Sequence, residues 1–209
     1  MLRSHLRQRM IGSEILASRL LLVEGESDKR FLRCMLGYLG IGRQIEIKSY
    51  RGKNNIGHAL RLLRESAVFS RGLVESVGLT RDADHKGCGS ARQSLLGALY
   101  RAGLTRSQND VRPLVTGLQI STHVICGSDG CGRLEEMILE AVSGYPIMKQ
   151  IDRQVTSLAR ASRCELDMGK TRLSLYLNNQ LFDRREAIYA GLNFSHPVYD
   201  DLKGFLLDL

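Results

Sequence analysis

The stretch Leu20-Leu21-Leu22-Val23-Glu24-Gly25-Glu26-Ser27-Asp28 decides the fold. A short apolar run ends in a carboxylate and a glycine, which is the pattern of a buried strand stopping at a turn. A second strand-like segment, Val74 to Arg81, leads into Asp82-Ala83-Asp84. If both strands lie in one parallel sheet, these acids meet at its C-terminal edge, where open α/β folds place their sites. Clustered carboxylates repel one another, and a hard divalent cation is the usual reason for gathering them.

Working outward, Asp28 to Leu39 reads as a helix with Phe31, Leu32, Met35, Leu36 and Leu39 on one face. Ser27 is its expected N-cap and Gly40 its stop. Gln44 to Tyr50 alternates as a second strand, and Arg51-Gly52-Lys53-Asn54-Asn55 is a polar turn. Ile56 to Phe69 is expected to be helical. A loop of His85-Lys86-Gly87-Cys88-Gly89 follows the paired aspartates, with Ser90 capping a helix that reaches Ala102. Leu118 to Cys126 is the fourth strand, ending in the turn Gly127-Ser128-Asp129-Gly130.

Strands alternating with helices imply βαβ units and a mainly parallel sheet. Beyond Gly132 the pattern is helical only: 133–142, 147–161, 170–181 and 200–209. The expected organisation is a basic arm or helix over 1–17, an α/β core over 18–130, and a helical extension over 131–209 packed on that core.

A chain of 209 residues, 43% hydrophobic with a mean hydropathy of -0.16, has apolar mass enough for a core. No apolar run is long enough for a membrane span, and a cytoplasmic setting is expected. Thirty Lys+Arg against 22 Asp+Glu give a formal charge of +8. Arginine dominates the basic residues and suits bidentate phosphate contacts. Nucleic acid fits that excess, although Arg-rich composition alone explains it equally well. The five cysteines, Cys34, Cys88, Cys126, Cys131 and Cys164, are an odd number that argues against a disulfide framework. His85, Cys88, Cys126 and Cys131 form a zinc set only on paper, without a Cys-x-x-Cys pair. Glycine-rich dinucleotide and P-loop motifs do not occur.

Each acid has a plain structural alternative. Asp28, four residues after Glu24, can reach the same point above the sheet edge or merely complement the helix dipole. Glu26 reads as a solvated turn acid. Asp82 and Asp84 point to one side if the backbone stays extended. Glu135 and Glu136 are either first-turn helix acids or a source of a further ligand at the sheet edge.

A Glu-Gly strand end followed by an Asp-x-Asp strand end resembles the Toprim fold of topoisomerases and bacterial primases. Val-Glu-Gly-Glu-Ser-Asp-Lys-Arg-Phe-Leu over 23–32 is most similar to small stand-alone Toprim proteins and overcoming-lysogenization-defect (OLD) nucleases. Gly132-Arg133-Leu134-Glu135-Glu136 and Phe194-Ser195-His196-Pro197-Val198-Tyr199-Asp200-Asp201-Leu202 extend the likeness over nearly the whole chain.

The resemblance implies a Rossmann-like Toprim core with Glu24, Asp28, Asp82 and Asp84 as ligands of Mg²⁺, for which Mn²⁺ can substitute. Glu135 or Glu136 would assist. Glu24, Asp82, Asp84 and Lys170 would be the catalytic group of a metal-dependent endonuclease acting on DNA or RNA, tRNA included. Lys170 is matched loosely and reads equally as a solvated helix-start lysine. His85 stands where such proteins often carry a further acid, which leaves it as an alternative proton carrier, and Lys53 as a phosphate contact or solvated lysine. Full OLD proteins carry an ATPase, so the resemblance points to a separate protein partner of that kind, in a phage-defence or toxin system. The rival reading is a non-catalytic nucleic-acid-binding or regulatory subunit of a larger complex.

Overall fold

The leucine run is strand β1 (Arg19–Val23), the second strand of a four-stranded sheet in the order β2-β1-β3-β4. This computed structural model describes residues 17–162, 165–180 and 189–209. The expected basic arm, apart from Ala17, and Cys164 lie outside the described residues. The other strands are β2 (Ile45–Ser49), β3 (Ser76–Asp82) and β4 (Gln119–Ile125), and every pairing is parallel. The sheet is thus the Rossmann-like α/β architecture that the strand-helix alternation implies.

Leu21 pairs with Ile47 on one side and Gly78 on the other. Leu20 and Leu22 project into one apolar layer, and Leu21 and Val23 into the opposite one. Burial on both faces is why β1 is continuously apolar rather than alternating.

Helix α1 (Glu26–Tyr38) covers one face, and α2 (Ile56–Arg64) with α4 (Gly87–Arg101) covers the other. The chain leaves β1 toward β2 but leaves β3 toward β4. The sheet therefore changes direction between β1 and β3, and at such a switch point the strand ends open into a crevice.

Local caps shift several expected boundaries. Helix α1 starts at Glu26, because Gly25 is the N-cap and its N–H donates to the Asp28 carboxylate at 2.6 Å. Ser27 therefore lies inside the helix. The helix expected over 56–69 breaks at Ser66, whose hydroxyl donates to the Leu63 carbonyl and accepts from the Phe69 N–H. That serine caps the short α3 (Ala67–Ser70). Helix α4 takes in Gly87, Cys88 and Gly89, so Ser90 does not cap it.

The C-terminal part contains α5 (Leu134–Val142), α6 (Pro146–Ala161), α7 (Met168–Gln180) and α8 (Asp200–Leu207). Their apolar side chains merge with α1 and the sheet in one core. Phe31 anchors this union, with its ring 5.6 Å from Tyr189, 5.6 Å from Phe194 and 5.8 Å from Tyr199. Edge and tilted aromatic contacts of this kind add about 1 kcal/mol each beyond burial. They hold α1, and with it Asp28, against the chain end. Gly78 permits the close seat of the C-terminus, since a Cβ there would lie 2.9 Å from Leu209 Cδ1 and 3.1 Å from Phe205 Cζ.

Candidate functional site

Glu24 follows the last residue of β1, and Asp82 ends β3, so the switch point places the two acids at one sheet edge. With Asp28, Asp84, Glu135 and Lys170 they line a single cleft of about 740 Å³. The turn after β2 forms the far wall. Its Gly52 N–H donates to the Glu24 carbonyl at 2.9 Å, which carries Lys53 over the acid.

Burial and mutual repulsion govern the charge state here. Loss of solvent pushes the Asp82 carboxyl up to about 8, and Asp28, Glu24 and Glu135 push it the same way; the Leu134 N–H, 3.2 Å from its Oδ1, opposes them. Asp28 is raised to about 6, again chiefly by burial, with Glu24 and Glu135 adding to it and the Gly25 N–H opposing. Glu24 is raised too, by burial first, against the pull of Arg81. Its Oε2 is buried without a hydrogen-bond partner. An unpartnered buried carboxylate oxygen is costly, and a cation or a hydrogen-bond donor at the site would relieve it.

Asp84 reaches the cleft differently from the expectation. The strand ends at Asp82, and Asp84 takes a left-handed backbone, φ 52°, instead of an extended one. Two hydrogen bonds hold it there, from the Asp84 N–H to the Gly132 carbonyl (2.8 Å) and back from the Gly132 N–H (3.1 Å). Arg51, on the opposite wall, is also left-handed at φ 58°. Such residues cost of order 1 kcal/mol or more and persist where surrounding structure enforces them.

The structure separates the two glutamates of α5. Glu135 faces the cleft and acts on Asp28 and Asp82. Glu136 folds back as a cap, accepting from the Arg133 N–H at 2.9 Å and pairing with the Arg133 guanidinium at 3.4 Å. Glu136 therefore does not line the acidic cleft, and its expected ligand role gives way to helix capping.

Lys170 enters the cleft wall through a clamp that sequence reasoning did not find. Arg133 donates to both oxygens of Asp167, at 2.9 and 3.2 Å, and the Lys170 N–H donates to Asp167 Oδ1 at 3.1 Å. The start of α7 is thereby tied to the start of α5. His85 is exposed and lines a neighbouring pocket, away from the acidic cleft. Arg81 was also missed, although an arginine near the end of a buried strand, next to Asp82, is a readable signal.

Among the described residues, no three His, Cys, Asp or Glu side chains converge closely enough, as they stand, to grip one ion. The paper zinc set has the same outcome, although the Cys88 and Cys126 sulfurs lie 2.9 Å apart. The donor chemistry of the cleft nevertheless fits a hard divalent cation: oxygen ligands, suppressed ionisation and one orphaned carboxylate oxygen.

The fold and cleft together define a class, a Rossmann-like α/β protein with an acid-lined crevice at its switch point. The chain belongs to the family described as "Protein of unknown function (DUF3226)", whose model matches residues 18–209. The hypothetical protein PH0156 from Pyrococcus horikoshii OT3 has a similar crystal structure, with a TM-score of 0.58 and 16% sequence identity. The likeness covers 91% of this chain and 92% of that one, and at this identity it speaks for the fold alone. No curated protein sequence matches the chain. No helix among the described residues is long and apolar enough to cross a membrane.

Proposed function

We propose that this protein is a Toprim-like, Mg²⁺-dependent hydrolase of phosphodiester bonds in DNA or RNA, acting in the cytoplasm. The carrying observation is that Glu24 and Glu135 raise the proton affinity of Asp28 and Asp82 around one cleft, with Glu24 Oε2 left without a partner. Four acids at a switch point, Asp28 buried and the other three half-buried, form an unfavourable arrangement that a cation would relieve.

Glu24, Asp28, Asp82, Asp84 and Glu135 are the residues that would hold Mg²⁺ or Mn²⁺. When bound, the ion would supply a water of lowered pKa and offset charge on the scissile phosphate and leaving oxygen. The remaining chemistry belongs to the chain. Glu24, whose proton affinity burial has raised, is suited to take a proton from water. Lys170 and Lys53, both exposed on the cleft wall, would meet phosphate oxygens as point charges. Arg133 is a positioning residue, because its guanidinium is spent on Asp167 and Glu136.

The test incubates purified protein with DNA, RNA and tRNA, in Mg²⁺, Mn²⁺ or EDTA. Wild type is compared with Asp82→Ala and Glu24→Gln. Cation-dependent cleavage that falls by about 100-fold or more in both variants is expected. Cleavage that persists in both removes this mechanism. Binding without cleavage in any cation supports the regulatory or nucleic-acid-binding subunit instead.

A further inference from the structure

Beside the acidic cleft lies a second cavity of about 420 Å³ with the opposite character. Its wall carries Lys53, Arg81, Lys86, His85, Ser90 and Ser94. The two cavities share Lys53 and Asp84, whose side chains stand 3.6 Å apart between them. Three cations, Lys53, Arg81 and Lys86, therefore line this cavity with one aspartate, which is paired with Lys53 and leaves the lining net positive.

Arg81 is the organising group. It projects from β3 on the face opposite Asp82, and its Nη1 donates to the Ser94 hydroxyl at 2.6 Å. That bond fixes the guanidinium plane. Its Nε–H is buried and has no hydrogen-bond partner. That donor is shut off from solvent, so it is the rest of the guanidinium, which lines the cavity, that faces an incoming oxyanion. A guanidinium fork, two lysines and two serine hydroxyls match the tetrahedral oxygens of a phosphate diester.

We propose that this pocket is a phosphate subsite for the nucleic-acid strand, seating a backbone phosphate next to the one in the acidic cleft. The assignment rests on the hydrolase reading for the position of the scissile phosphate. Continuity of the two cavities through Lys53 and Asp84 selects a strand over an isolated ion. One strand would cross the Lys53–Asp84 boundary, with its cleaved link among the acids and its neighbouring phosphate against Arg81 and Lys86. The subsite is built from backbone-phosphate contacts and carries no base readout, so both DNA and RNA strands satisfy it.

The test measures affinity of the full-length protein for a labelled single-stranded DNA and the matching RNA by fluorescence anisotropy, in EDTA and across a salt series. Lys86→Ala, an exposed change that cannot unfold the core, is expected to weaken both by about 3–10-fold. It should also lower the slope of log affinity against log salt by about 0.7, one phosphate contact on a single strand. Arg81→Met, checked for folding by circular dichroism, should cost about 10-fold or more. Wild-type affinity and salt slope in both folded variants would overturn the subsite. Protection from thermal unfolding by inorganic phosphate, with oligonucleotide affinity unchanged by Lys86→Ala, would assign the pocket to free phosphate and equally overturn it. Because EDTA removes the cation, the binding result stands apart from cleavage. Weakened binding in a protein that cuts nothing keeps the subsite and removes the hydrolase, whereas cleavage with unaltered binding does the reverse.

Discussion

Asp82→Asn should make the cation-free protein more stable. The amide keeps an oxygen to accept the Leu134 N–H, so the change removes charge with little change of shape. The wild-type carboxyl is raised from 3.8 to about 8, first by burial and then by Asp28, Glu24 and Glu135. An acid raised in the folded state contributes stability that is full below its unfolded value, near pH 4, and is lost as pH rises toward 8. At pH 7 the loss is about 4 kcal/mol, from 1.36 kcal/mol for each pH unit above 3.8. Solvent reaches the half-buried side chain and screens part of this, so a gain of about 2 kcal/mol is expected. For a chain of this size that corresponds to a rise in Tm of about 4–8 °C. The assay is thermal and urea unfolding of both proteins in EDTA from pH 4 to 8. The gain should shrink toward pH 4, where both side chains are neutral. A variant less stable than wild type at pH 7–8 would show Asp82 to be ionised and compensated, and would refute the reasoning.

The two α5 glutamates should divide their effects. Glu136→Gln removes charge from a cap and from Arg133 and should cost about 0.5–1 kcal/mol in chemical unfolding, with the response to Mn²⁺ unchanged. Glu135→Gln should leave stability equal or higher in EDTA and weaken that response; identical behaviour of the two would contradict their separation. Gly78→Val would drive a side chain into Leu209 and Phe205 and should cost about 1–3 kcal/mol or more, measured by urea unfolding. A neutral result would mean that the C-terminal residues do not seat on β3 in solution.

The sheet was legible because β1 is buried on both faces, which leaves a continuous apolar run that only an interior strand explains. Glu24 and Asp82 were legible as strand-end acids, since each sits where a buried strand stops. The choice between Glu135 and Glu136 was not. Neighbours on a helix point about 100° apart, and only the docking of α5 at the sheet edge decides which one faces inward. Cap assignments to Ser27 and Ser90 failed because Asp28 reaches back to Gly25 and the chain turns helical already at Gly87. Asp84 departs from the extended geometry because the Gly132 backbone claims both of its peptide groups, a contact between distant segments that no local pattern announces. The Arg133–Asp167 clamp is hidden in the same way, its partners lying in separate helical segments.

The most direct measurement is calorimetric titration of Mn²⁺ into wild type, Asp82→Asn and Glu24→Gln, in buffers of different ionisation enthalpy. Wild type is predicted to bind with proton release, because an acid held near 8 and another held near 6 give up protons to the ion. Both variants should bind at least about 10-fold more weakly, and release from Asp82→Asn should fall. No binding by wild type, or equal binding and proton release by all three, would contradict a cation centre in this cleft.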